Sequence, residues 1–288
     1  MNASILIFES LEDDIDVLNI ETSLAILRVS LYGGQILSWQ PKAEINPVLW
    51  LSSSAQYRHG KAIRGGVPVC WPWFGNHPTD PLQPSHGFAR LSNWVIKEIR
   101  TLSDGEALIV LSLDDVKVGA LGFADLRLHI YMGLSLKISL ITINRSSHQI
   151  NFTEGLHTYF KISDIENIQI IGLHGSEYID LYDGDSTKTQ TGEVTLEGGL
   201  CKIFYKNDSD CIIRDFGLRR QIKIEKSGSL TTAIWNPGLN VAQEMIDIGD
   251  WRSMVCVESA NAFSDQVNLM PGKTHIHSVV YSLQSLGE

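Results

Sequence analysis

Apolar positions recur at every second residue along most of the chain. Leu126-Arg127-Leu128-His129-Ile130-Tyr131 alternates, Met132-Gly133 interrupts, and Leu134-Ser135-Leu136-Lys137-Ile138-Ser139-Leu140 alternates again. A period of two sends successive side chains to opposite faces, so this stretch predicts an antiparallel hairpin with one buried face. The phase slips at Leu140-Ile141, which predicts a β-bulge or a strand buried on both faces. Similar runs predict strands over 25–31 and 35–39, on either side of a Gly33-Gly34 turn. Others fall at 107–113, 149–152, 202–205, 221–225, 230–235, 254–258 and 275–283. Only 114–121 and 246–251 have room for a helical turn or two, and neither shows a 3.6-residue stripe. No repeat, charge block or low-complexity linker divides the chain. Many short strands between Gly, Asp, Asn and Ser turns predict an all-β fold in a single domain over residues 1–288.

One segment breaks the rhythm. Ile63 to Gly75 (IRGGVPVCWPWFG) is too rich in Gly and Pro for a central strand and too aromatic for a solvated linker. Together with Ser85-His86-Gly87-Phe88-Ala89-Arg90 it reads as an irregular loop packed on one end of the sheet, where it lines a cleft.

Composition narrows the partners. The 288 residues are 43% hydrophobic and carry a formal charge of −10, enough apolar material for a sizeable core. A negative surface disfavours nucleic acid as a partner. No apolar run reaches the length of a membrane helix, and the first residues lack the basic region of a secretory signal, so a cytoplasmic location is expected. Cys70, Cys201, Cys211 and Cys256 form no C-x-x-C pair and read as reduced, mostly buried thiols. The His275-x-His277 pair would share one strand face, but no carboxylate follows at a useful spacing. It reads as exposed strand polarity, and no metal is expected.

Four residues stand out for chemistry. Arg64 and Arg90 flank the aromatic segment beside glycines. A guanidinium there either pairs with a surface carboxylate or holds an anionic ligand by two parallel hydrogen bonds. His157 lies among apolar neighbours and is either a bonded core residue or a general acid. Glu258 ends an apolar run, where a carboxylate marks either the strand's emergence into water or a site.

Five blocks in order carry a resemblance. They are Arg64 to Gly75 (RGGVPVCWPWFG), His86 to Arg90 (HGFAR), Leu156 to Phe160 (LHTYF), Trp235 to Gly238 (WNPG) and Val255 to Ala260 (VCVESA). Together they resemble the hexose-6-phosphate mutarotases, or glucose-6-phosphate 1-epimerases, of the aldose 1-epimerase superfamily. The resemblance implies a galactose-mutarotase-like antiparallel β-sandwich with a sugar cleft on one sheet, and a monomer is expected. It implies His157 and Glu258 as the catalytic pair, with Glu258 as carboxylate and His157 as imidazolium. It implies Arg64 and Arg90 as substrate and phosphate contacts and His86 as a second active-site histidine. Ser85 stands beside His86 where some relatives carry Gln, and is included among the substrate contacts. The implied substrate is a small hexose phosphate, and the reaction needs no cofactor. One departure is Lys202, which stands where family members commonly carry a sugar-binding Asp. That substitution motivates an alternative, a non-catalytic or weakly active sugar-phosphate-binding protein on the same fold. A third reading, a polysaccharide-processing enzyme, requires two cleft carboxylates, and only Glu258 is available.

Overall fold

The structure is a computed structural model that describes residues 5–119 and 122–286. Two large antiparallel sheets carry the architecture. In the first, the spatial order is Ser186–Thr189, Glu177–Asp180, Leu200–Phe204, Thr231–Asn236, Met254–Asn261, Glu154–Leu156 and Val69–Cys70, with Tyr159–Lys161 also paired to Met254–Asn261. The second runs Ile168–Ile171, Cys211–Asp215, Arg220–Ser227, Thr274–Ser285, Ser135–Asn144, Gly122–Met132, Ala107–Val118 and Val95–Thr101. A four-stranded sheet formed by residues 5–41 and a two-stranded ribbon complete the fold. Leu156, Phe204, Ile234, Val255 and Val257 of the first sheet join Ile109, Leu128, Ile138, Ile222 and Val279 of the second in one buried cluster. The core is therefore the space between the two sheets, as in a β-sandwich.

The alternating segments form the expected hairpin, Gly122–Met132 against Ser135–Asn144. The phase slip at Leu140-Ile141 is not a bulge, because the register runs unbroken through it on both sides. The second face is itself covered there, with Ser139 buried and Ile141 and Ile143 half-buried. Leu136, Ile138, Leu140, Thr142 and Asn144 all stay buried on one face, and the last two are polar. Thr142 Oγ1 donates to Glu154 Oε2 at 3.2 Å and Asn144 Nδ2 to the carbonyls of His148 and Leu269, so the inward parity continues with hydrogen-bonded residues.

Two further expectations change. The 114–118 part of the suggested helical stretch continues the Ala107–Val118 strand through a register shift between Leu113 and Val116. Asp115 there has φ 55° and its N–H bonds Asp125. Residues 120–121 lie outside the described residues. The stretch 246–250 is irregular and a short 3-10 turn begins at Trp251, while the α-helix lies just before it, at Gly238–Glu244. Asn236 Oδ1 accepts from the Gly238 N–H at 2.9 Å and starts that helix. Seven residues are too few for a helical stripe to show in the sequence. Among the described residues, no helix is long and apolar enough to cross a membrane.

Candidate active site

Register brings the candidate pair together. Leu156 pairs with Ser259 and Tyr159 with Cys256, so the intervening His157 lies opposite Glu258. The two short strands are interrupted between them, where the His157 N–H bonds the Pro68 carbonyl and the Thr158 N–H bonds that of Leu156. His157 Nδ1 and Glu258 Oε1 are 3.4 Å apart, and the side chains are 9% and 3% exposed. Both face a cleft of about 540 Å³ on the first sheet, on the side away from the core.

The irregular loop supplies one wall of this cleft, as its composition suggested: Arg64, Phe74, Ser85, His86 and Arg90 all line it. Two glycines make the close packing possible. A Cβ on Gly66 would stand 2.0 Å from the Ile36 carbonyl oxygen, and one on Gly87 2.0 Å from that of Trp71. Both have positive φ, so no other residue fits without moving backbone. Gly66 thus fixes the chain just after Arg64, and Gly87 fixes it just after His86. The ring of His86 lies 5.1 Å from that of His157, and its Nδ1 accepts from the Gly75 N–H.

The arginines are held differently. Arg64 donates to Asp247 Oδ2 at 3.2 Å and to the Tyr159 hydroxyl at 3.1 Å. Tyr159 in turn stacks on His157, with centroids 4.9 Å apart and planes 10° apart. Arg90 donates to the Ser85 carbonyl at 2.7 Å and its hydroxyl at 3.2 Å, while its Nε is buried without a partner. Neither arginine is spent on an ordinary surface ion pair, since the Arg64–Asp247 contact is itself three-quarters buried.

Electrostatics revises one expectation. Burial, opposed only by Arg90, holds the Glu258 carboxyl well above its ordinary value. Burial, then His86, Arg90 and Arg64, push the His157 imidazolium well below its own. The free cleft therefore favours a neutral pair, carboxylic acid and imidazole, over the carboxylate and imidazolium. His86 is pulled down to about 3 by burial, then by Arg90 and Arg64, and is neutral.

Lys202 is not in the cleft. Its neighbours Cys201 and Ile203 line it, and alternation turns Lys202 to the opposite face. There its Nζ donates to Gln190 Oε1 at 3.0 Å and sits 4.5 Å from the Tyr178 ring centroid. The substitution that motivated a binding-only protein thus has no contact with the site.

The His275–His277 expectation is also overturned. His277 is fully buried and His275 half-buried. They meet Glu154 Oε1 at 3.3 Å from His275 Nε2 and 3.5 Å from His277 Nδ1. The carboxylate missing from the local sequence comes from another strand.

Sequence reasoning did not find Trp235 and Asp247 as site residues. Trp235 was legible within its quoted block; its ring lies 6.1 Å from that of His157 and its Nε1 donates to the Tyr182 hydroxyl. Asp247 lies in a featureless turn and carried no signal.

A β-sandwich whose sheet presents a facing histidine and glutamate in a cleft lined by two arginines has the groups for acid–base chemistry on a small ligand. Comparison with known proteins makes this specific. The family model for aldose 1-epimerase matches residues 17–282. A curated relative from Escherichia coli K12, named "Putative glucose-6-phosphate 1-epimerase", is 34% identical over 260 residues, covering 88% of this chain and 86% of the relative. A relative of the same name from Cenchrus ciliaris is 32% identical, covering 85% and 77%. The crystal structure of a "putative mutarotase" from Salmonella typhimurium superposes with a TM-score of 0.89 at 27% identity, covering 98% and 94%. A galactose mutarotase-like protein from Clostridium acetobutylicum, 14% identical with a TM-score of 0.75 and 98% coverage of both chains, shares the fold. The chain belongs to the aldose 1-epimerase family and is an epimerase-type isomerase with a galactose-mutarotase-like fold.

Proposed function

We propose that the protein interconverts the α and β anomers of a hexose 6-phosphate, with glucose 6-phosphate the first candidate. The observation that carries this reading is the 3.4 Å approach of His157 Nδ1 to Glu258 Oε1 in a cleft that Arg64 and Arg90 also line. Relatives named for glucose 6-phosphate support the choice of sugar.

Exchanging anomers requires opening a cyclic hemiacetal, turning about C1–C2, and closing on the other face. Opening takes a proton from the C1 hydroxyl and delivers one to the ring oxygen. From the ion-paired form, Glu258 accepts the first proton and His157 donates the second. The products are the open aldehyde, a carboxylic acid and a neutral imidazole. Closing reverses the roles and regenerates the ion pair, so protons balance over each turnover. Burial, which favours the neutral pair, therefore favours the open-chain half of the cycle. A sugar phosphate dianion beside His157 favours the imidazolium of the other half. Each positioned proton-transfer group contributes a factor of about 10²–10⁴. Arg64, Arg90 and Ser85 are the proposed substrate contacts, the arginines as charge-assisted donors to phosphate. Neutral His86, whose Nδ1 is engaged by the Gly75 N–H, is left with Nε2–H as a donor toward sugar oxygens. No step calls for a metal or redox cofactor.

The test is anomer exchange at equilibrium, followed by NMR with and without protein, for glucose 6-phosphate and for glucose. Faster exchange of the phosphate supports the reading; equal acceleration of both sugars removes the phosphate from it. Acceleration of neither, with sugar-induced shifts in the protein spectrum, would return the binding-only reading.

A further inference from the structure

Cys256 lies two residues before Glu258 on the same strand, so the two side chains share the cleft face of the sheet. It pairs across to Tyr159, directly beside His157. One donor atom each from His157, Cys256 and Glu258 lie within 4.8 Å of one another, and all three residues are buried. Around a tetrahedral ion with bonds of about 2.0–2.3 Å, neighbouring ligand atoms stand roughly 3.3–3.8 Å apart. The 3.4 Å between His157 and Glu258 already has that spacing. His157 Nδ1 and Glu258 Oε2 are, besides, buried without a hydrogen-bond partner. The other histidine–carboxylate group likewise leaves Glu154 Oε1 and His277 Nδ1 without a partner, but it has no thiol and lies off the cleft. There Glu154 Oε2 accepts from Thr142, His275 Nε2 bonds Asn261 and His277 Nε2 bonds Ser259.

We propose that His157, Cys256 and Glu258 form a binding site for a zinc-class divalent ion that enters through the cleft and blocks it. Imidazole, thiolate and carboxylate suit zinc or cobalt, and a sulfur donor disfavours magnesium and calcium. On binding, the Cys256 S–H and the Glu258 O–H each release a proton to solvent. The dication, two monoanions and neutral imidazole then sum to zero, so the buried site exchanges two protons for one ion without acquiring net charge. The fourth position faces the cleft, open to water or a sugar hydroxyl. An ion held there occupies both groups assigned to proton transfer. The inhibition rests on the proposed roles of His157 and Glu258; the binding does not.

The reduced full chain is titrated with Co²⁺ and then challenged with Zn²⁺. One equivalent of cobalt is expected to give the intense visible bands of a four-coordinate ion and a sulfur-to-cobalt charge-transfer band. C256S and C256A, each checked for fold by circular dichroism, should lose the charge-transfer band. Their zinc affinity should fall by about 100-fold or more, beyond the roughly 10–100-fold cost of losing an outer-shell partner. C201S, which changes the other cleft thiol, should keep both. Persistence of the band in both Cys256 variants, its loss in C201S, or no metal uptake by the wild type overturns the site. Zinc should also slow glucose 6-phosphate anomer exchange in the wild type at concentrations that leave C256S unaffected. If the Cys256-dependent cobalt bands form while the protein speeds no anomer exchange at all, the metal site stands and the proposed function falls. If exchange is accelerated but zinc bound through Cys256 leaves it unchanged, the blocking role is overturned.

Discussion

The Met254–Asn261 strand separates two histidine–carboxylate groups. On its cleft face, Glu258 meets His157. On its core face, Ser259 and Asn261 bond His277 and His275, which flank Glu154. The residue types and the burial are alike, yet the two carboxyls shift in opposite directions. Burial holds Glu258 well above its ordinary 4.5. For Glu154 burial also raises the value and is the largest single influence, but hydrogen bonds and charge from His275 and His277 outweigh it and the net shift is downward. Burial alone therefore does not mark a reactive group. Unused hydrogen-bonding capacity alone does not mark one either, because Glu154 Oε1 and His277 Nδ1 also lack a partner. What sets His157 and Glu258 apart is that theirs faces a cleft, where a ligand can supply the missing partner.

The sharpest way to break this contrast is to remove one group from each side. H157N and E258Q should each slow hexose-phosphate anomer exchange by about 10²–10⁴-fold while leaving circular dichroism unchanged. A wild-type rate in either variant removes that residue from the mechanism. The stability of E258Q adds a sign. Because the folded value of Glu258 is raised, its contribution to stability is full below about 4.5 and is lost as pH climbs toward the folded value. E258Q lacks that loss, so its Tm relative to wild type should rise with pH from about 4.5 upward. A constant difference across that range would mean that Glu258 ionises freely.

Glu154 should behave in the opposite way. E154A leaves a buried and a half-buried imidazole without their carboxylate and should cost about 3–5 kcal/mol, a fall in Tm on the order of 10 °C. Exchange per folded molecule should stay within a few-fold of wild type. Since its folded value is lowered, the stability Glu154 contributes is present above about 4.5 and lost as pH falls below it. A large loss of turnover in stable, folded E154A would show that the core-face group serves the reaction after all.

These two groups also show what the chain makes legible. Alternation revealed the strands that bury one face, such as Gly122–Met132 and Ser135–Asn144. It missed Glu177–Asp180 and Ser186–Thr189 (STKT), whose polar residues give no such signal. It could not say which face of Thr274–Ser285 points inward, so His275 and His277 read as exposed. Their partner Glu154 is more than 100 residues distant, and only sheet pairing brings it close. Asp247 reaches Arg64 across 183 residues for the same reason. His157, Glu258, Arg64, Ser85, His86 and Arg90 were legible because they sit in unusual blocks that resemble a known family. All six line one cleft. Their protonation was not legible, because it depends on burial.

Arg90 tests whether the cleft, unlike the core-face group, is built for an anion. Its guanidinium already donates to Ser85, and its buried Nε has no partner. R90A should weaken hexose 6-phosphate by about 1.5–3 kcal/mol, roughly 10–100-fold in KM, with a smaller change for the free hexose. Equal losses for the two sugars would put the phosphate elsewhere.

The smallest kinetic effect is expected where the sequence suggested a large one. Lys202 stands where a sugar-binding Asp is common in the family, so K202D restores the residue type the resemblance calls for. If the side chain at 202 faced the cleft, K202D would tighten the sugar. The strand alternation says otherwise: Cys201 and Ile203 face the cleft, while Lys202 rests on Tyr178 and Gln190. On that face the residue directly opposite in register is Asp180. K202D would lose the cation–π contact and set two carboxylates across one strand pair, costing about 1 kcal/mol. The expected result is a lower Tm with KM and kcat unchanged within about two-fold, the near-neutral response of a position without a functional contact. A tighter KM would mean that the Leu200–Phe204 strand is turned by one residue, because a one-residue slip exchanges the faces of every side chain it carries.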